Sequence, residues 1–382
     1  MKEKESALYS HYIIDGVRHE ASPAELLDEC MEFPELEACD YPGFNDVIDE
    51  STEPPLEAVR YDIDKIDTYI KSTSEATHYE RPFNLLYPEH FTSLQIAKAL
   101  LDRLWSEGHF RLGNLRLWAQ WDWNTRPLGS LASFYKSCHT ANEYIYGLGV
   151  RRSDYIFIEG DEGCSAKFYA WLPNDDAEEH IAGEEDIKAP YESRHPWIGD
   201  KRKCPFTLQD DPASWLIYIP FDTCPYRLGG SLLSQTCGKT GGRMPMIQDP
   251  DYFIDCYEVV RELTEDGIVK AGVTVADGGL ATAAYKMCER LGVNLDLSGI
   301  VTSYGENDHI RILFGEIPGV MIQISDSDYD YVDSQLILQD IAYYPLGHPT
   351  AAFQGIRVTQ NSKTGVAEIL ASLMGQASEG ED

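Results

Sequence analysis

Residues 266–297 read DGIVKAGVTVADGGLATAAYKMCERLGVNLDL. Val269 to Val275 is rich in β-branched residues and predicts a strand. Ala276-Asp277-Gly278-Gly279-Leu280 turns the chain, and Gly279 to Leu291 then places apolar residues at helical spacing. A strand that ends in glycines and opens a helix brings bare backbone N–H groups to one point, which suits a phosphate. Asp277 either contacts a ligand or metal there or simply caps the helix through its carboxylate.

A second turn of the same kind lies upstream. Trp215 to Ile219 predicts a strand, and Leu228-Gly229-Gly230-Ser231-Leu232-Leu233 opens a helix. Gly229, Gly230 and Ser231 form either a phosphate cradle or an ordinary helix cap. Asp251 to Leu263 predicts a helix, Ile310 to Phe314 and Val320 to Ile324 predict strands, and Tyr329 to Ile341 predicts a closing helix. His348, in Leu346-Gly347-His348-Pro349, reads as structural. This alternation predicts an α/β or α+β layered domain without internal repeats.

Toward the N-terminus, Thr92 to Ser106 spaces Leu94, Ala97, Leu100, Leu101 and Leu104 as a helical stripe. Asn114 to Trp123 alternates, setting Leu115, Leu117, Ala119, Trp121 and Trp123 on one strand face. Leu128 to Tyr146 predicts a helix, and Asp154 to Glu159 and Ser165 to Leu172 predict strands. Residues 174–203 are acidic, then basic, without periodicity, and mark a boundary between two subdomains.

The first seventy residues carry 19 Asp/Glu against 5 Lys/Arg. Ser22 and Pro23 have the form of a helix start, and Glu32 to Pro55 reads as acidic loop. Organised structure is therefore expected from near Pro82. The expected division is an acidic N-terminal extension (1–81), two synthetase-like subdomains (82–203 and 204–365) and an acidic tail (366–382).

Across 382 residues, 64 acidic side chains face 31 basic ones, a formal net charge of −33. Such a surface repels phosphate backbones, so direct nucleic-acid binding is not expected. It serves solubility, docks a basic partner, or reflects adaptation to high salt. The nine cysteines form no C-x-x-C pair, which signals neither a zinc ribbon nor a redox dithiol. No leader-like apolar stretch and no apolar run of about 18 residues occurs, so a reducing, cytosol-like compartment and no membrane span are expected.

Taken in order, Leu228 to Ser231, Asp277 to Leu280, and Leu313, Phe314, Glu316, Gly319, Val320, Ile322 and Gln323 resemble three motifs of formylglycinamidine ribonucleotide synthase. These are its LGGS-like, SDGGL and LFxE-x-x-G-x-V-I-Q-V motifs. More faintly, Ala97 to Asp102 and Arg116 to Trp121 match its GEALTN helix and KLSANWM strand. The resemblance implies an aminoimidazole-ribonucleotide-synthetase-type fold of two subdomains, the N-terminal sheet pairing in a dimer and the C-terminal one a mixed sheet with helices.

For function it implies ATP-dependent conversion of an amide to an amidine in purine biosynthesis. ATP or ADP and Mg²⁺ would be cofactors. A second copy or a heteromeric synthase partner, and a separate glutaminase, would be partners. The implied phosphate-binding residues are Gly229, Gly230, Ser231, Asp277, Gly278, Gly279 and Lys98; the implied metal ligands are Asp102, Asp161 and Glu162. The family chemistry is eroded in places. Lys98 replaces the motif's Glu, Asp102 its Asn, and Asp161-Glu162-Gly163 a Lys-Asp-Ser triplet, and Gly272-Val273-Thr274 stands where the family has His-Asp before SDGGL. A lysine ammonium cannot ligate a metal, although it can meet a phosphate directly. No cysteine sits in a Gly-x-Cys-x-Gly frame. The alternative is therefore a silent relative that keeps the scaffold for nucleotide binding or assembly.

Overall fold

A computed structural model describes residues 7–27, 39–40, 61–106, 110–172, 202–239 and 242–359. Apart from Cys39 and Asp40, which form a short strand, the expected loop at Glu32 to Pro55 lies outside the described residues, as do almost all of segment 174–203 and the acidic tail.

A short N-terminal unit comes first: strands β1 (Tyr12–Ile14) and β2 (Val17–Arg18), helix α1 (Pro23–Leu27) and strand β3 (Cys39–Asp40). Ser22 and Glu25 cap α1 reciprocally, the Ser22 N–H donating to Glu25 Oε2 and the Glu25 N–H to Ser22 Oγ. Helix α2 (Ile66–Ala76) follows, then α3 (Pro88–Leu101), β4 (Arg116–Trp123), α4 (Ser130–Gly147), β5 (Arg151–Glu159) and β6 (Ser165–Trp171).

The first sheet has the order β5-β4-β6. Strand β4 runs parallel to β5 and antiparallel to β6. Alternation buries Leu117, Ala119, Trp121 and Trp123, and Phe134 of α4 meets the rings of both Trp121 and Trp123. Trp121 Nε1–H donates to Ser137 Oγ, so its one polar atom is satisfied in the core. Trp118, on the opposite face, is equally covered. These tryptophans are core, and leave no bare aromatic face to argue for pairing with another copy.

The remaining elements are β7 (Trp215–Pro220), α5 (Leu232–Thr236), α6 (Pro250–Glu265), β8 (Val269–Val275), α7 (Gly279–Met287), β9 (Gly292–Asp296), α8 (Ser298–Tyr304), α9 (His309–Phe314), β10 (Gly319–Ile324), α10 (Tyr329–Leu338), β11 (Tyr344–Gly347), β12 (Pro349–Thr350) and β13 (Gly355–Thr359). The larger sheet, β11-β7-β10-β8, is antiparallel throughout, and mixed pairing falls in the small sheet β12-β9-β13.

Every residue of β10 is buried, which explains its unbroken apolar run: the strand is covered on both faces. Ile217, Ile219, Val320 and Ile322 share a core with α6 and the first sheet's helices, whereas Leu216, Tyr218 and Met321 face α7 and α9. Gln323, the polar exception, is fully paired with the backbone of Gln209 and with Ser214 Oγ.

Two expectations are corrected. Ile310 to Phe314 is a helix, not a strand: Asp308 Oδ1 caps it at the Ile310 N–H, and Ile310, Ile312, Leu313 and Phe314 are all buried. A short apolar run buried all round has no period that separates the two structures. Organised structure also starts well before Pro82. Helix α2 docks through Ile70 and Thr73, whose Oγ1 lies 3.0 Å from Thr282 Oγ1 of α7, and Tyr61 OH reaches Ser234 Oγ at 2.9 Å.

Because Trp121 is fully buried, Trp121→Ala is expected to cost about 3–5 kcal/mol of folding free energy. A lowered urea midpoint checks this, and an unchanged midpoint would contradict the sheet packing described.

Candidate functional site

The two glycine turns are neighbours. At the first, the Gly229 N–H donates to Arg243 O, and a Cβ on Gly229 would stand 2.1 Å from Gly242 O, so no side chain fits. Gly230 follows in the left-handed region (φ +63°). Ser231 then caps α5, its Oγ accepting from the Ser234 N–H. At the second turn Gly278 and Gly279 are both left-handed (φ +79° and +66°), and a Cβ on Gly279 would press on Leu313 O at 2.7 Å. The cap reading of Ser231 thus holds, while Asp277 turns away from capping.

Two residues from elsewhere bind the turns together. Glu316 Oε1 accepts the Leu232 N–H of one turn at 2.8 Å and the Gly278 N–H of the other at 2.9 Å. Arg81 donates from Nη2 to Gly230 O (2.5 Å) and Glu316 Oε2 (2.7 Å), and from Nη1 to Asp277 Oδ1 (2.6 Å). Its guanidinium also lies over the Phe91 ring at 5.4 Å. Lys98, from α3, donates to the remaining Asp277 oxygen, Oδ2, at 2.5 Å.

Burial works to raise the Asp277 carboxyl, but the Arg81 and Lys98 charges outweigh it and hold the group well below the usual carboxylate range. Burial raises Glu316, with Arg81 only partly opposing it. Burial likewise works to lower Lys98, and the Asp277 carboxylate more than offsets this.

This cluster forms part of the wall of a cavity of about 350 Å³. Helix α3 supplies Phe91, Gln95 and Lys98, and Asp102 follows its end; β6 supplies Ser165 to Ala170; Glu80, Arg81, Arg103, Leu232 and Asp277 complete much of the rest. The Nε atoms of Arg81 and Arg103 are buried with no hydrogen-bond partner. Lys98, which lines the cavity with its side chain 39% exposed, has an ammonium suited to an anionic oxygen. Burial pushes the Cys204 thiol up to about 11 and those of Cys224 and Cys288 up to about 12, which makes these three poor nucleophiles.

Of the residues expected to bind phosphate, Lys98 and Asp277 line the cavity, and Gly229, Gly230, Ser231, Gly278 and Gly279 stand in or beside the two turns. The expected metal ligands are not gathered. Asp102 Oδ1 accepts from Thr274 Oγ1 at 2.6 Å. Asp161 pairs with Arg126 at the exposed β5–β6 turn, and neither it nor Glu162 lines the cavity. Among the described residues no group of three or more His, Cys, Asp or Glu side chains could hold a metal ion. The donor set does not fit Mg²⁺, because the buried carboxylates are already taken by cations and N–H groups. Sequence reasoning missed Arg81, which no motif marks, and left Glu316 as a matching letter without a role.

The structure has the aminoimidazole ribonucleotide synthetase-like fold, which it shares with Thermotoga maritima PurL. In sequence the chain is similar to phosphoribosylformylglycinamidine synthases. It is 26% identical over 314 residues to a probable phosphoribosylformylglycinamidine synthase, chloroplastic/mitochondrial, of Arabidopsis thaliana, a match covering 80% of this chain and 21% of the relative. The Homo sapiens phosphoribosylformylglycinamidine synthase is 26% identical over 133 residues, 35% of this chain and 10% of that protein. The chain therefore spans about a fifth or less of the length of these relatives. In structure it resembles Thermotoga maritima PurL complexed with FGAR, with a TM-score of 0.53, 11% identity, and coverage of 74% of this chain and 42% of that one. No family model matches.

Arg81→Met strands buried Glu316 and leaves Asp277 with Lys98 alone, and is expected to cost about 3–5 kcal/mol near pH 7. Without the guanidinium both acids titrate higher in the folded variant than in the folded wild type. Protonation then stabilises the variant relative to wild type as pH falls, so the gap between them should narrow between about pH 7 and pH 4. Chemical denaturation across that range checks this; a gap independent of pH would contradict the charge network.

Proposed function

We propose that the chain is a phosphoribosylformylglycinamidine synthase-like component of purine biosynthesis that holds the phosphate of a nucleotide or ribonucleotide in this cavity. The observation carrying the proposal is the junction of the two glycine turns at a cavity lined by Arg81, Lys98 and Arg103. Related structures support it in kind: Thermotoga maritima PurL is seen with ATP and with FGAR.

The reaction is ATP-dependent amide-to-amidine conversion. The amide oxygen forms a bond to the γ-phosphorus of ATP, releasing ADP. Ammonia then adds at the amide carbon, and the C–O bond breaks to release phosphate and leave the amidine. Catalysis of phosphoryl transfer is mostly positioning and charge stabilisation, which cationic side chains around the cavity supply. A partner chain completes the machinery, and a separate glutaminase supplies ammonia. A PurLQS assembly from Thermotoga maritima, which this chain resembles with a TM-score of 0.50, motivates the partner. A cytosolic setting goes with this reading; no described helix is long and apolar enough to cross a membrane.

One observation favours a second reading, a silent relative that retains only the pocket: Asp277 and Glu316 have all four carboxylate oxygens engaged. Calorimetry with ATP and ADP tests the shared part. Saturable binding is expected, weakened by about tenfold in Lys98→Ala; no binding of either nucleotide would sink both readings. Amidine formation from formylglycinamide ribonucleotide, ATP and ammonia, with the partner present, separates the enzyme from the silent relative.

A further inference from the structure

The carboxylates at the glycine turns are arranged unlike those of a metal site. A hard divalent ion needs carboxylate or carbonyl oxygens with lone pairs facing it. Asp277 gives Oδ1 to Arg81 and Oδ2 to Lys98, and Glu316 gives Oε2 to Arg81 and Oε1 to two backbone N–H groups. The nearby Asp102 gives Oδ1 to Thr274. The charges of Arg81 and Lys98 balance those of Asp277 and Glu316. An entering divalent ion would have to displace Lys98 and then sit beside two cations.

The Lys98 ammonium, by contrast, has donors to spare: it gives one N–H to Asp277 and has three, and its side chain lines the cavity at 39% exposure. We propose that Lys98 takes the place of a divalent cation at this site, so that the cavity takes a phosphate-bearing ligand as the metal-free anion. The ligand half rests on the phosphate-pocket reading above; the metal half does not.

Manganese alone, titrated into the full chain with free Mn²⁺ followed by electron paramagnetic resonance, tests the metal half. Wild type and Asp277→Asn should hold Mn²⁺ equally weakly, as an acidic surface does. Lys98→Glu should create a site tighter by about tenfold or more, lost again when Asp277→Asn is added. If Lys98→Glu does not fold, Lys98→Gln, which frees Asp277 Oδ2, should gain affinity in the same sense. Wild type binding Mn²⁺ more tightly than Asp277→Asn overturns the proposal, as does a folded Lys98 variant that gains nothing.

Calorimetry with ADP tests the ligand half. Binding with EDTA should be at least as tight as with Mg²⁺, and a gain of about tenfold with Mg²⁺ overturns that half. Absence of ADP binding under both conditions defeats the pocket reading and the ligand half with it. The Mn²⁺ titration still decides the metal half.

Discussion

The Arg81 guanidinium holds together three pieces of chain far apart in sequence: the Gly230 carbonyl, the Asp277 carboxylate and the Glu316 carboxylate. Its side chain and that of Glu316 are almost wholly shielded from solvent, at 8% and 3% exposure. Charges so far removed from water persist only when paired and hydrogen-bonded in good geometry. The glycines let each turn pack on its own neighbours, Gly229 on the backbone at 242–243 and Gly279 on that at 313–315, and the two turns stay together because Glu316 accepts an N–H from each. Removal of any member leaves a buried charge or N–H group without its counterpart.

The larger antiparallel sheet carries this arrangement. Strands β7 and β8 both pair with β10, so the segments leaving them emerge near one another. Glu316 lies just ahead of β10, which places its carboxylate between the two turns. Helix α3 belongs to the other sheet's core, and from there Lys98 and Gln95 reach Asp277. The cavity thus lies where the two layers meet. Its chemistry depends on their packing as much as on either motif.

Charge choice gives the site its character. A lysine at a position where the resembled family has a glutamate changes an attractive place for a cation into one already holding a cation. Asp277 remains, yet in partnership with Arg81 and Lys98 it is an anchor for positive side chains, not an open ligand. On the function proposed above, the site recognises an anion chiefly through the Lys98 ammonium.

Much of this was legible in the sequence. Period-two burial in β4, the unbroken apolar run of β10 and the glycine turns follow from local backbone sterics and hydrophobic pattern. So do the Pro and Ser caps of α1. All of these act within a few residues. The helix at His309–Phe314 escaped because a short run buried on every side has no period to read. Helix α2 escaped because acidic composition masked a docking face of few residues. Above all, nothing local marks Arg81, or tells that Lys98 meets Asp277. Ion pairing and desolvation depend on which distant residues share a buried space, and only the packed chain decides that.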